Sequence, residues 1–296
     1  MQISKTEIAG AFKLIQDKIC AALEAVDGKA KFEEDPWQRP GGGGGRTRVI
    51  QNGNVFEKGG VNFSEVFGPA PEFMKEGNEN APKTFFATGV SIVIHPQSPM
   101  VPIIHMNIRF LELNDNSCWF GGGIDLTPVY IVEDDAQFFH QYLKKVCDNF
   151  NHGYYNEFKK WADDYFFIRH RNETRGVGGI FFDHLKPTDE MPLEKIFEFV
   201  SAIGESFVPV YSEIVSRNRL KKYGENEKQW QQIRRGRYAE FNLVYDRGTK
   251  FGLETDGRTE SILMSLPPLA SWKYNLIPTG EELKTQQLLR KGINWA

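Results

Sequence analysis

Three consecutive stretches, residues 84–95, 103–113 and 117–126, constrain the fold more than any other part of the sequence. Each is rich in β-branched and aromatic residues, and the loops between them carry the proline and Asn/Asp residues that are typical of turns. In the middle stretch, polar and apolar residues alternate from Ile104 to Phe110, which is the period of a β-strand. The sequence therefore predicts an antiparallel meander.

The alternation places His105, Asn107 and Arg109 on one face of the middle strand. In the register that the two turns favour, Ser91 lies opposite Asn107 and Asp125 lies opposite His105. A slip of one residue in either hairpin would send the neighbouring residues to the other face. The predicted polar face consists of Ser91, His95, His105, Asn107, Arg109 and Asp125.

Two interpretations of this polar face are open. It can be the solvated side of a half-exposed sheet, with His105 and Asp125 joined by no more than a hydrogen bond. Exposed strands usually carry Thr, Lys and Glu, however, whereas His, Asn and Arg are used to bind anions and move protons. Gly121 and Gly123 would lie opposite Arg109 and Asn107 and leave room for a flat or bulky ligand, which favours a site.

Arginines are concentrated in a second part of the chain. Because the guanidinium fork binds carboxylate or phosphate bidentately, they indicate an anionic ligand. The alternative is surface ion pairing with Glu240, Asp246 and Glu254. The glycine run at residues 41–45 is either an anion-cradling nest or a slack loop. The five arginines of this part are Arg234, Arg235, Arg237, Arg247 and Arg258.

The remaining elements mix helices and strands without a βαβ rhythm. They predict an α+β fold, a single domain over residues 1–296 with a large antiparallel β-sheet flanked by helices on both faces. Ser4 and Glu7 form a capping box at the start of the first helix. The predicted boundaries are an N-terminal helix at residues 4–27, sheet and helices at 46–275 with late strands at 238–244 and 261–264, and a C-terminal helix at 281–290.

Charge and composition exclude several classes of protein. The chain has 36 Lys and Arg against 39 Asp and Glu, which leaves no excess for binding nucleic acid. No apolar run approaches the roughly 18 to 20 residues that span a bilayer. The opening residues show no targeting pattern, and three cysteines without metal-site spacing fit a reducing compartment, so we expect a cytoplasmic protein.

Seven segments resemble those of one family, in the same order and over about residues 37–274. The chain resembles the oxygen-dependent coproporphyrinogen III oxidase family. The segments are GGGGGRTRVI at 41–50, IHMNIRF at 104–110, WFGGGIDLTP at 119–128, WADDYFFIRHR at 161–171, RGVGGIFFD at 175–183, RRGRYAEFNLVYDRGT at 234–249 and RTESILMSLPP at 258–268.

The resemblance implies an activity as well as a fold. It implies an oxidoreductase of haem and porphyrin biosynthesis that converts two propionates of coproporphyrinogen III to vinyl groups. This oxidative decarboxylation consumes O₂, releases CO₂ and H₂O₂, and gives protoporphyrinogen IX. The resemblance further implies an α+β homodimer, with its interface around residues 238–273, and no organic cofactor.

Individual roles carry over onto matching positions. The proton donor of the family matches His105. Asp256 stands where the family usually has Gly, and its extra carboxylate should repel a propionate. Some descriptions of the family assign a divalent metal to four histidines, which match His95, His105, His140 and His170, and others assign none. The implied substrate contacts are Ser91, Asn107, Ile108, Arg109, Asp256, Gly257 and Arg258.

The residue types suit this chemistry. Removal of pyrrole N–H protons by Asp125 or Asp246 would make the ring electron-rich enough to react with O₂. His105 would shuttle a proton to or from the oxygen species, because imidazole titrates near neutrality. The candidate partners for substrate propionates that do not react are Arg109, Arg247 and Arg258.

Two other functions fit the same residues. The first is an iron oxygenase with a facial triad of two histidines and a carboxylate, formed by His95, His105 and Asp125. The second is a non-catalytic carrier of tetrapyrroles, which needs an apolar cleft and arginines but neither His105 nor the aspartates.

Overall fold

The computed structural model describes residues 3–70, 82–115, 117–254 and 258–296. Nine strands occur in these ranges, and seven of them form one antiparallel sheet. The strands are β1 (Glu33–Gln38), β2 (Gly43–Gln51), β3 (Phe56–Pro69), β4 (Thr84–Pro96), β5 (Ile103–Leu113), β6 (Cys118–Thr127), β7 (Phe167–Ile168), β8 (Glu173–Thr174) and β9 (Gly178–Leu185).

The main sheet has the order β1-β2-β3-β4-β5-β6-β9. Strands β4, β5 and β6 are the predicted meander, which is therefore confirmed. β9 joins the sheet only after two helices, while β7 and β8 pair with each other. Part of the glycine run lies inside β2 and is neither a nest nor a slack loop. A Cβ at Gly45 would lie 2.3 Å from Cζ2 of Trp37, so the ring of Trp37 packs where a side chain would stand.

Eight helices accompany the strands in the described ranges. The first begins after Ser4, which forms the predicted capping box with Glu7. The helices are α1 (Lys5–Asp27), α2 (Glu133–Asp148), α3 (Tyr154–Tyr165), α4 (Leu193–Asn218), α5 (Glu225–Val244), α6 (Arg247–Glu254), α7 (Thr259–Leu263) and α8 (Gly280–Leu288).

Helices cover both faces of the sheet, as predicted for the α+β fold. On one face, Ile104, Met106 and Ile108 are fully buried in a core that includes apolar residues of α1 and α4. On the other face, Tyr238 of α5 packs against Val93 of β4 and Ile103 of β5. Removal of this apolar surface from water stabilises the packing of the helices on the sheet. The polar residues of β5 lie on the face that α5 covers.

The two late strands predicted at residues 238–244 and 261–264 are wrong, because both segments are helical. Tyr, Phe and Val are common in strands but also occur in helices, because packing easily overrides their β-propensity. Along α5, Trp230, Arg234, Tyr238 and Phe241 recur at spacings of three and four and are all buried. The helical period begins upstream of the segment that looked like a strand.

No helix in the described ranges is long and apolar enough to cross a membrane.

Candidate active site

The register of β4, β5 and β6 matches the prediction at every position that concerns the polar face. Ser91 pairs with Asn107 across β4 and β5, and His105 pairs with Asp125 across β5 and β6. Gly121 lies opposite Arg109. The structure therefore brings the predicted polar residues to one face of the sheet.

A chain of three side chains runs inward from His105. Nδ1 of His105 lies 2.8 Å from Oδ1 of Asp125, whose side chain is 1% exposed. Nη2 of Arg175 donates to both oxygens of Asp125, at 2.7 and 2.8 Å, and its Nη1 donates to Oδ1 of Asn242 at 3.0 Å. Burial alone would raise the pKa of Asp125, but the charge of Arg175 and the hydrogen bond from His105 outweigh it and hold this pKa below its usual range.

Arg175 is itself held by aromatic rings. Its guanidinium carbon lies 4.3 Å from the ring centre of Phe166 and 4.7 Å from those of Tyr238 and Phe241. The result is an anionic Asp125 that fixes the ring of His105 through Nδ1. The side chain of His105 is 21% exposed, so its Nε2 is left for a ligand.

Arg109 occupies space that the sequence assigned to a ligand. Its Nη1 donates to Oδ1 of Asn107 at 2.8 Å, and its Nη2 lies 2.9 Å from Oδ2 of Asp183. A Cβ at Gly121 would stand 2.7 Å from that Nη2. The room beside Gly121 is thus filled by an ion pair rather than left open.

The side chain of Ile108, one of the implied substrate contacts, does not lie on the polar face. Its side chain is fully buried in the apolar core on the opposite face of the sheet. The alternation that brings Asn107 and Arg109 to the polar face necessarily turns Ile108 away. Asp256 and Gly257 lie outside the described residues.

Asp246 is not part of the chain of His105 and Asp125. It precedes α6, where its Oδ2 accepts hydrogen bonds from N and Oγ1 of Thr249 at 2.7 and 2.8 Å, so it caps that helix. Its Oδ1 accepts one from the hydroxyl of Tyr165 at 2.8 Å. Burial would lower the pKa of Arg175, but the charge of Asp125, with a smaller contribution from Asp246, raises it.

Most arginines of this segment form ion pairs, but among the described side chains only Arg237 pairs with one of the acidic residues that the alternative interpretation named. Arg237 pairs with Glu240 at 3.1 Å, and Arg258 pairs with Asp35 of β1. Arg247 is exposed, with its guanidinium carbon 5.9 Å from the ring centre of Tyr165. The two buried pairs are Arg234 with Glu173 and Arg235 with Glu57, at 2.7 and 2.6 Å.

The structure does not bring the four implied metal-binding histidines together. His140 has Nδ1 2.9 Å from the hydroxyl of Tyr155 and Nε2 3.0 Å from the carbonyl of Val177, so both ring nitrogens are occupied. His170 is engaged by the hydroxyl of Tyr245 and by Glu240. In the described ranges no three His, Cys, Asp or Glu residues are grouped so that they could hold a metal ion.

The facial triad for iron does not fit either. Both oxygens of Asp125 are occupied by Arg175, a cation that lies where the metal would have to bind. Nε2 of His95 lies 2.8 Å from the carbonyl of Ser265, and burial lowers the pKa of His95 to about 3. Asp125 is therefore unsuited to a metal, whereas His95 keeps a buried Nδ1 that has no partner among the described residues.

Two residues of the site were missed in the sequence. Arg175 forms the ion pair with Asp125. A buried carboxylate requires a cation or several hydrogen-bond donors, so Asp125 itself was the signal that such a partner exists. Asn62 lies opposite Ser91 and extends the polar row into β3. Its Nδ2 donates to the carbonyl of Ser261 at 2.9 Å, and its buried Oδ1 has no partner among the described residues.

The chain matches one known protein family over almost its whole length. The family model described as coproporphyrinogen III oxidase matches residues 7–295 of the 296 residues. A match of this extent covers every strand of the main sheet and all the side chains of the polar face. The chain therefore belongs to the coproporphyrinogen III oxidase family, a family of oxidoreductases that carry out oxidative decarboxylation in porphyrin biosynthesis.

Proposed function

We propose that the polar face of β4, β5 and β6 is where this chain binds coproporphyrinogen III and converts two of its propionates to vinyl groups. In each of the two reactions, one propionate side chain, one O₂ and one proton give a vinyl group, CO₂ and H₂O₂. The observation that carries the proposal is the alignment of His105, Asn107 and Arg109 on one strand face, with His105 tied to a buried, anionic Asp125.

In this proposal His105 exchanges the proton at Nε2. Asp125 accepts from Nδ1 and stabilises the ring when it is protonated, so it orients His105 instead of acting as a base towards the pyrroles. Asp246 is more exposed than Asp125 and is the better candidate for contact with the pyrrole N–H groups. Arg109, together with Asn107 and Ser91, binds one end of the substrate.

We further propose that the chain itself supplies the proton transfer, without an organic cofactor or a ring of four histidines around a metal. The support is the chemistry of the donors, since His140 and His170 are already hydrogen-bonded at both nitrogens. Activity that withstands a strong chelator is the expected result, and stoichiometric metal whose removal abolishes turnover would contradict it.

We also propose a homodimer, with the interface around residues 238–273. Large apolar side chains are exposed in and just beyond this segment, and such patches usually mark protein interfaces. Light scattering of the purified chain should give twice its mass, and Trp272→Glu should shift it towards the monomer. The exposed residues are Leu243, Val244, Leu253, Leu269, Trp272, Tyr274 and Ile277.

A cytoplasmic location is proposed on the three cysteines, all of which are free thiols. Cell fractionation with an antibody against the chain tests it.

The activity is tested by incubating the purified chain with coproporphyrinogen III and separating the tetrapyrroles by HPLC. Under air, the two-vinyl product should accumulate with the uptake of O₂, and under argon it should not. A tetrapyrrole carrier would bind the substrate and give no vinyl product. An iron oxygenase would lose its activity with chelator and regain it with Fe²⁺.

A further inference from the structure

Asp183 forms an ion pair with Arg109, the arginine that the proposed function assigns to a carboxylate of the substrate. Its Oδ2 lies 2.9 Å from Nη2 of Arg109, and its Oδ1 accepts a hydrogen bond from the backbone N of His184 at 2.9 Å. Arg109 keeps a separate hydrogen bond to Asn107 through Nη1. A ligand that took over Nη2 would therefore displace Asp183 and leave Asn107 in place.

Asp183 lies opposite Gly121, on the face of Arg109, at an irregularity of β9. Gly122 pairs with Phe182, but Phe120 pairs with Leu185, so one extra residue lies opposite Gly121. Such bulges redirect a side chain and are frequent near functional sites.

His184, the second residue of the bulge, has a φ of +50°, a conformation that is uncommon for residues other than glycine. Its ring is stacked on Trp119, with the ring centres 5.0 Å apart. This contact helps to hold the unusual backbone, and with it the direction of Asp183.

A ligand carboxylate can replace Asp183 as the partner of Arg109. The side chains of Arg109 and Asp183 are 37% and 24% exposed, so water can solvate Asp183 once it leaves. Exposed pairs of this kind contribute little net stability. The pair of Arg175 and Asp125 is the opposite case, because at 2% and 1% exposure neither charge can be released without a large desolvation penalty.

We propose that Asp183 is a built-in counter-ion that holds Arg109 until a substrate propionate displaces it. The inference rests on the proposed function. It explains how the proposed substrate site discriminates among anions. In the empty site, Asp183 keeps Arg109 extended along the sheet and excludes weakly binding anions. When the product leaves, Asp183 pairs with Arg109 again, which favours release. Asp183 is thus a positioning residue that acts through Arg109.

The variant Asp183→Asn tests the inference, because it removes the competing charge and keeps the size of the side chain. The probe is coproporphyrin III, the fluorescent oxidised form of the substrate, which keeps its four propionates. The variant should bind it about two- to fivefold more tightly than the wild type, the range that an exposed ion pair supports. The KM for coproporphyrinogen III should fall by a similar factor, and kcat should not rise.

Three controls separate competition for Arg109 from effects on folding. Glu112→Gln breaks an ion pair of the same strand, between Glu112 and Lys5 at 2.7 Å, and should leave the affinity unchanged. In an Arg109→Gln background, Asp183→Asn should have no effect on affinity. Asp183→Ser should move the affinity in the same direction as Asp183→Asn.

Weaker binding by Asp183→Asn would show that Asp183 only orients Arg109, and equal binding would show that it does not compete; both results overturn the inference while the wild type still forms the vinyl product. A wild-type chain that neither binds coproporphyrin III nor forms that product would instead overturn the proposed function, and the inference with it.

Discussion

Arg175 donates from Nη2 to both carboxylate oxygens of Asp125, across 50 residues of sequence, and both side chains are almost fully buried. This pair determines the charge of Asp125 and, through it, the orientation of His105. The site therefore depends on a residue that the sequence did not single out.

Arg175→Met should destabilise the fold by about 3–5 kcal/mol, because it leaves the charge of Asp125 buried and unpaired. The double variant with Asp125→Asn should lose less than the sum of the two single losses. Urea unfolding followed by circular dichroism measures all four proteins. Additive losses would show that the two residues do not depend on each other.

Asp246→Asn should separate folding from turnover. Asn caps helices as well as Asp does, so the free energy of unfolding should stay within about 0.5 kcal/mol of the wild type. Loss of the carboxylate charge should lower kcat by about 10²-fold if Asp246 takes part in proton transfer. Wild-type turnover in this variant would remove Asp246 from the mechanism.

The sequence was sufficient for the contacts that depend on strand period and turn position. Alternation in β5 and two short loops determine the register, and the register alone brings His105 to Asp125. It was not sufficient for contacts that depend on how distant elements pack. Arg175 reaches the site from the segment before β9, and the extra residue at His184 interrupts a strand whose composition shows no break.

The second source of error was a segment whose residues fit both the strand period and the helical period. Residues 238–244 combine Tyr, Phe and Val, and only the buried positions upstream in α5 show that the period is helical. Ile108 illustrates a different limit, because a resemblance transfers a run of positions without regard to which face each side chain takes.

Gly53→Ala tests the packing at the end of α1, and Gly10→Ala serves as its control. Asp27 accepts hydrogen bonds from the backbone N atoms of Ala30, Val55 and Phe56, and a Cβ at Gly53 would lie 2.1 Å from its Oδ2. Gly53→Ala should therefore lower the free energy of unfolding by about 1–3 kcal/mol. Gly10→Ala, at an exposed helical position with open space, should raise it by about 0.5–1 kcal/mol. Effects of the same sign would contradict this account.

Acid should destabilise the fold through two buried histidines. Burial lowers the pKa of His95 and of His140 to about 3, while the pKa of histidine in an unfolded chain is about 6.5. Between these values the unfolded chain binds more protons, so stability falls as the pH decreases, by up to about 1.4 kcal/mol per pH unit for each histidine. The fall should be measurable from pH 6 to pH 5 by urea unfolding, and His140→Gln should make it shallower; an unchanged slope would mean that His140 is already charged in the fold.

Turnover of His105→Gln tests the central claim most directly. The matched control is His152→Gln, which changes a histidine whose side chain is 91% exposed. Formation of the vinyl product under air, measured by HPLC, should fall about 10²- to 10⁴-fold in His105→Gln, while His152→Gln should match the wild type. Wild-type product formation by a folded His105→Gln protein would contradict the account.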